Sequence, residues 1–431
     1  MAFTTTVRVQ VIEPLRENAA LLTVCVATGL IMLGQGVTGP VLPLYAKDFG
    51  VSVAMVGMTI SVFGLARMLL NLPAGLLSDR FGRQMLLWGG ASITSLGYFL
   101  SAAAGDIWQL LAYRFVAGAG SGMFMTGGMV LVTDISTPEN RGRMLSLYQG
   151  SLLLGVSIGP AVGGLTAELL GLRAPFIVVG VLAALCALWA LRQAPEVQRR
   201  APTAAARISS ADGPTPPATT LLSLRALFAN WGFTLVSLVT FSVFFTRTGS
   251  RQTILPLLGD ERFGLTAGSL GGIFAMMALL NLAAIGPAGA WADRFGRKRV
   301  IVPSAFVSAG ALALFAVTGE LWLFLVAAVL QGIGTGFIGP APAAYAADVI
   351  PAGARGLGMG LYRTYSDLGF VLGPLLLGWI ADVTGSFGWS LGFNAVLVAA
   401  CALAFGVFAR ETLPGAARGR RERPQAQVWP N

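Results

Sequence analysis

The sequence has no histidine and only three cysteines, and Asp, Glu, Lys and Arg together make up 11% of its 431 residues. Each shortage removes a class of function. Cys25, Cys186 and Cys401 lie far apart inside apolar runs, so with no His the ligand sets of zinc, haem and iron–sulfur centres cannot be assembled. Neither a metal nor another cofactor is expected, and the thiols read as small apolar fillers. There is no phosphate-binding loop and no nucleophile beside a base, so nothing points to an enzyme. So few charges cannot cover the surface of a soluble protein. What is plentiful is apolar: 55% of residues are hydrophobic, 56 are Gly, and the mean hydropathy is +0.73.

A membrane-crossing helix needs about 20 mostly apolar residues. Twelve stretches qualify, near 20–45, 52–78, 84–104, 107–132, 143–170, 174–192, 228–258, 267–291, 299–318, 321–347, 357–383 and 388–409. The pattern predicts an all-α integral membrane protein with the lipid bilayer as its main partner. The long interruption contains SSADGPTPPATT, the composition of a solvated linker. The expected division is a tail 1–19, a bundle 20–192, a linker 193–226, a bundle 227–409 and a basic tail 410–431. The net charge of +10 does not require a nucleic-acid partner, because the Lys and Arg cluster in short loops between apolar runs. With both termini inside, 21 of the 29 Lys and Arg fall on the inner side. The outer loops hold Lys47, Arg173 and Arg262, and five more lie within spans. That bias predicts cytoplasmic termini and a multi-pass place in the plasma membrane, the inner membrane of a Gram-negative cell. Trp108 and Trp322 open the fourth and tenth segments, where indole rings suit the outer interface.

An internal repeat organises the chain. A shift of 214 residues lays PAGLLSDRFGR (73–83) on PAGAWADRFGR (287–297). The same shift pairs Gly118, Gly120 and Gly122 with Gly332, Gly334 and Gly336, Asp134 with Asp348, Tyr148 with Tyr362, and Gly159-Pro160 with Gly373-Pro374. Each half holds six segments, an even number, so both halves share one orientation and enclose a central cavity.

GLLSDRFGRQ (75–84) and its echo GAWADRFGRK (289–298) resemble the loop signature of the major facilitator superfamily. The resemblance covers the chain from first to last segment and implies transport of a small solute by alternating access. Asp79 and Asp293 end their helices where the helix dipole disfavours negative charge. The resemblance implies that they bond a neighbouring helix N-terminus and nearby Arg, locking the cytoplasmic side. Arg80, Arg83, Arg294 and Arg297 supply charge, or anchor the loop to anionic lipid, while Gly82 and Gly296 permit a tight turn. Asp134 and Asp348 precede Arg141 and Arg355 by seven residues, which suits either gate latches or loop bonds. YRFVAGAGSG (113–122) resembles the second signature of the family, whose Arg, here Arg114, is assigned to proton transfer in related antiporters. A buried Arg should face the cavity and a polar partner. GVSIGPAVGG (155–164), with Gly155, Gly159, Pro160, Gly163 and Gly164, resembles the signature of drug:proton antiporters. Its echo GFVLGPLLLG (369–378), holding Gly373 and Pro374, suggests that duplication contributes. Gly-Pro inside a helix makes a kink and a close-packed hinge face.

Charged residues inside spans point to the solute path. Arg67 falls near the midplane, and Arg247 and Arg251 are one turn apart in the seventh segment. Arg363 and Asp367 are one turn apart in the eleventh and can pair; Gln35, Tyr362 and Tyr365 suit either a cavity wall or a structural role. Many relatives carry an acid in the first segment, and this chain has none there. Asp367 is the sole acid near the middle of any span, so coupled protons must use it, use the cytoplasmic Asp residues, or play no part. Five Arg against one Asp suggest a cavity suited to anionic or zwitterionic solutes. Export by proton antiport, from a monomer, is the leading expectation; uptake by symport or facilitated diffusion, and a non-transporting sensor, are the alternatives. Asp79→Asn should impair transport without disturbing membrane insertion, measured as solute flux against the amount of inserted protein.

Overall fold

The computed structural model describes residues 19–81, 83–137, 140–200, 227–351 and 354–412, without the side chains of residues 19, 71–81, 83, 193–200 and 355. Gly82, nearly all of both expected tails and most of the expected linker therefore lie outside the described residues. So do the side chains of Asp79, Arg80, Arg83 and Arg355.

Twelve helical elements match the twelve apolar segments. The first half comprises α1 (Ala19–Lys47), α2 (Val53–Phe81), α3 (Arg83–Ala102), α4 (Ile107–Ile135), α5 (Arg141–Leu170) and α6 (Ala174–Arg200). The second comprises α7 (Trp231–Phe263), α8 (Ala267–Phe295), α9 (Arg297–Val317), α10 (Leu321–Val349), α11 (Arg355–Thr384) and α12 (Phe387–Phe408). No strand occurs among the described residues. The sixth helix continues to Arg200, past the point where the linker was expected, since Glu, Gln and Arg there are good helix formers.

Eleven of these elements are long and apolar enough to cross a membrane; α3 is the twelfth. It is diluted by Gly89, Gly90, Ser92, Thr94 and Ser95, and protein covers most of that polarity. Thr94 Oγ1 donates to Gly90 O at 2.8 Å and Ser95 Oγ donates to Gly180 O at 2.8 Å. A Cβ on Gly90 would come within 2.6 Å of Phe124 N, so α3 and α4 meet backbone to backbone.

Two interruptions matter. Residues Thr246–Ile254 of α7 form a π-helix, a wider turn common at functional sites. Asn394 of α12 supports it, donating to Thr246 Oγ1 at 3.1 Å and Ser250 Oγ at 2.7 Å. In α10 the helix breaks at Gly339-Pro340, where Pro removes a backbone donor.

The two halves share a core at one end only. Phe370, Leu257, Ala267 and Leu270 of the second half pack with Val37, Val41, Val56, Ile60 and Phe63 of the first. Toward the opposite end, rich in Arg and called here the basic end, each half has its own core: Ala20 to Ala187 in one, Leu227 to Ala409 in the other.

Glycine makes the joined end possible. A Cβ on Gly159 would lie 2.5 Å from both Gly36 Cα and Leu33 O, so α5 rests on the backbone of α1. Gly360 has nothing within 4 Å. Gly159→Ala should therefore lower the melting temperature of the detergent-solubilised protein, overpacking costing about 1–3 kcal/mol. Gly360→Ala should leave it unchanged or raise it, by up to about 1 kcal/mol of helix propensity.

Candidate solute and coupling site between the halves

The seam between the halves is one contact made twice. A Cβ on Gly271 (α8) would meet Pro160 O (α5) at 2.6 Å, and a Cβ on Gly57 (α2) would collide with Pro374 O (α11). These pairs are related by the 214-residue shift. Gly164 sits against Ala267 O and Gly271 Cα, and its repeat mate Gly378 against Val53 O and Ala54 Cα. Gly155, Gly159 and Gly163, expected from sequence to form a hinge face, pack on α1, and Gly373 packs on Phe245 O of α7.

Carboxylates finish both seams at the joined end. Val53 N and Ala54 N donate to the two oxygens of Asp382 at 2.8 Å each, so α11 caps the N-terminus of α2. Glu168 of α5 occupies the repeat position and accepts from Thr266 Oγ1, the N-cap of α8, at 3.1 Å. Carboxylates at helix N-termini are favoured by the dipole and by free N–H groups. Lys47 Nζ also reaches Asp260 Oδ2 at 2.7 Å. Sequence reading missed Asp382, Glu168 and Asp260, although the first two coincide under the repeat.

Deeper in the seam, Ser61 Oγ donates to Val371 O at 2.6 Å. At mid-depth Arg67 Nη2 lies 3.0 Å from Asp367 Oδ1, both side chains largely buried. Helical spacing offered Arg363 as the partner of Asp367; the structure brings in Arg67 from the other half, while Arg363 is exposed. Arg67 also stacks on Phe370, 4.6 Å from its centroid.

One layer toward the joined end is a small cavity of about 10 Å³ lined by Gln35, Thr38, Phe63, Arg114, Gln252 and Phe370, among others. Arg114 is 3% exposed; its Nε donates to Thr59 O at 3.5 Å. Gln252, another residue that sequence reading missed, comes from the π turn of α7. The same turn holds Arg247, 5.9 Å from the Phe244 ring centroid, and Arg251, which donates to Phe274 O at 3.1 Å. Tyr362 is buried and accepts from Thr240 Oγ1 at 2.7 Å, and Tyr365 is half-buried.

Residues 24–283 and 238–430 match the Major Facilitator Superfamily, together nearly the whole chain. The chain belongs to the major facilitator superfamily. It is 25% identical over 359 residues to the quinolone resistance protein NorA of Staphylococcus aureus, covering 82% of this chain and 88% of that one. It is 23% identical over 363 residues to an uncharacterised MFS-type transporter, MJ1560, of Methanocaldococcus jannaschii, covering 84% of this chain and 90% of that one. Its fold is also that of a bacterial homologue of the human lysosomal transporter Spinster solved in an inward-facing, occupied conformation. Those two share a TM-score of 0.74 and 16% identity over 91% of this chain and 96% of that one. The protein is thus a non-enzymatic membrane transporter resembling the drug-efflux branch of the superfamily.

At the basic end of this transporter, Arg297 Nε pairs with Asp348 Oδ2 at 2.6 Å. The sequence offered Arg355, whose side chain lies outside the described residues, as the partner of Asp348; the described partner is Arg297, the first residue of α9. Asp293 and Arg294 are exposed, and Asp293 makes no ion pair or hydrogen bond among the described residues. Glu411, assigned to the basic tail by sequence, takes the helix N-terminus instead, accepting from Arg297 N at 2.9 Å. It lies against Gly296, whose φ of +107° favours glycine. In the first half Asp134 is half-buried, and Arg141 is exposed with Nε 3.4 Å from Ser136 Oγ.

Removing the caps should loosen the joined end. Losing one cap costs about 1 kcal/mol, roughly a fivefold change in population. In the double variant Glu168→Ala/Asp382→Ala, spin labels at the exposed positions Asp48 and Glu261 should report longer distances by electron–electron resonance. An unchanged distance distribution would show that the glycine contacts alone hold that end.

Proposed function

We propose that this transporter exports a small organic solute from the cytoplasm in exchange for protons, by alternating access. The observation that carries this reading is the Arg67–Asp367 ion pair, which crosses the seam at mid-depth. Arg67 is the middle residue of α2, and Asp367 lies near the middle of α11. An ionised carboxylate at that depth is tolerable while it is paired. Protonation of Asp367 would remove the carboxylate charge and leave the Arg67 charge uncompensated. Breaking a buried pair in this way costs about 3–5 kcal/mol, enough to shift an equilibrium between two conformations. The charge state of Asp367 thus biases the balance between joined and parted α2 and α11.

The basic end is read as cytoplasmic by the positive-inside rule. The halves having separate cores there, the structure is then open to the cytoplasm and closed outside by glycine seams and acid caps. The likeness to NorA, named for quinolone resistance, supports export over uptake. Within this reading Asp293 and Arg294, in the signature loop at the basic end, latch only in the alternate state. That accounts for the exposure of Asp293 and Arg294 here.

Purified protein in proteoliposomes with an imposed pH gradient and an internal pH dye tests the exchange directly. A solute that moves should move protons in the opposite sense. Asp367→Asn should abolish pH-driven accumulation, a loss of tenfold or more, and retain downhill exchange. Proton movement in the same sense as solute would favour symport instead. Unimpaired coupling in Asp367→Asn would reduce the ion pair to a structural bond.

A further inference from the structure

Arg114 is a buried cation without an anion. Among the described residues it has no ion pair, and its Nη1 has no hydrogen-bond acceptor. Its guanidinium is held by the Thr59 carbonyl and by two rings, with Phe63 at 4.6 Å and Tyr98 at 5.5 Å from its central carbon to the ring centroids. Ring faces and one long carbonyl contact compensate a buried charge only in part.

The second donor of the cavity is in the same condition. Gln35 Nε2 is buried and has no acceptor among the described residues. Both groups line the same cavity, and none of its lining residues is Asp or Glu. A cavity of about 10 Å³ has room for roughly one oxygen-sized group, and not for a whole solute or a tetrahedral phosphate. Phe63 and Phe370 flank it with apolar rings, one from each half, and Gln252 closes it from the π turn.

From this we infer that the cavity is a carboxylate subsite, taking one oxygen of an organic acid or zwitterion between the Arg114 guanidinium and the Gln35 amide. The subsite rests on the export reading only in assuming that the bound molecule is cargo. Arg–carboxylate hydrogen bonds are among the strongest available to a buried site. Because the subsite draws on both halves, its occupant bridges the seam on the joined side of the Arg67–Asp367 pair. A lipophilic cation placed there would face Arg114 at close range with no compensating acid, so the subsite discriminates by charge.

The test is equilibrium binding to the full chain in nanodiscs, with radiolabelled benzoate as the probe and chloride, benzamide and benzylamine as competitors. Benzoate should bind saturably. Benzylamine and benzamide should compete at least tenfold more weakly than unlabelled benzoate. Gln35→Leu should weaken benzoate binding about tenfold, and Arg114→Gln should abolish it. Arg114→Lys should restore part of the affinity, which separates a lost ligand contact from a collapsed cavity. Competition by chloride as effective as by benzoate would make this a simple inorganic anion site and overturn the carboxylate assignment. Equal competition by benzylamine, or benzoate binding indifferent to Gln35 and Arg114, would overturn the subsite altogether. Solute-for-proton exchange in the liposome assay stands or falls independently of these outcomes.

Discussion

Backbone meeting backbone is the constraint on which the rest of this structure depends. At the two seams the contact surface is glycine on one side and the carbonyl of the Gly-Pro motif on the other. Helices that approach this closely exchange van der Waals contact over a long stripe without interdigitating side chains. The surface is smooth and can rock without unlocking knobs from holes. It also sets the helix spacing at which a carboxylate at the end of one helix reaches the N–H groups of another, as Asp382 does with α2.

The two seams are copies, while the polar groups between them are not. Under the 214-residue shift Arg67 falls on Asn281, Arg114 on Ala328, Asp367 on Leu153 and Gln35 on Gly249. The repeat thus supplies a symmetric scaffold, and the chemistry is written where the symmetry lapses. Charge is concentrated in α2 and α4 on one side and in α7 and α11 on the other, so the buried charged residues of the two halves are unlike. The π turn of α7 belongs to this asymmetry, since its first-half counterpart lies in an uninterrupted α1. The wider turn brings Arg247, Arg251 and Gln252 into one short stretch facing the seam region.

Composition was enough for the helices, a fixed offset for the repeat, and the resemblance of the loop motif GLLSDRFGRQ for the family, because each is written locally or at one shift. The glycine motif was legible as a packing face, but its partners were not. Gly155 and Gly164 look alike in sequence, yet one meets α1 of its own half and the other α8 of the opposite half. Pairings across the seam were beyond reach for the same reason. Helical spacing could nominate Arg363 for Asp367, whereas Arg67 is distant in the chain and was seen only as a lone midplane charge. Asp382 and Glu168 stood in plain view as a repeated pair of acids at two helix ends. Their value depends on helix N-termini that only the tertiary arrangement brings near. Glu411 shows the opposite failure: the disordered look of the basic tail hid an acid bonded at Gly296 and Arg297.

The glycine seams also divide the protein by how freely it can change. A side chain added at Gly57, Gly159, Gly164 or Gly271 strikes main-chain atoms, which no rotamer can move aside. The cavity residues Gln35, Phe63, Gln252 and Phe370 present side chains to the cavity, where a change of size meets space rather than main chain. Substitutions can therefore accumulate in one set of positions while the glycine contacts stay fixed in the other. One glycine framework can in this way carry cavities with many different linings.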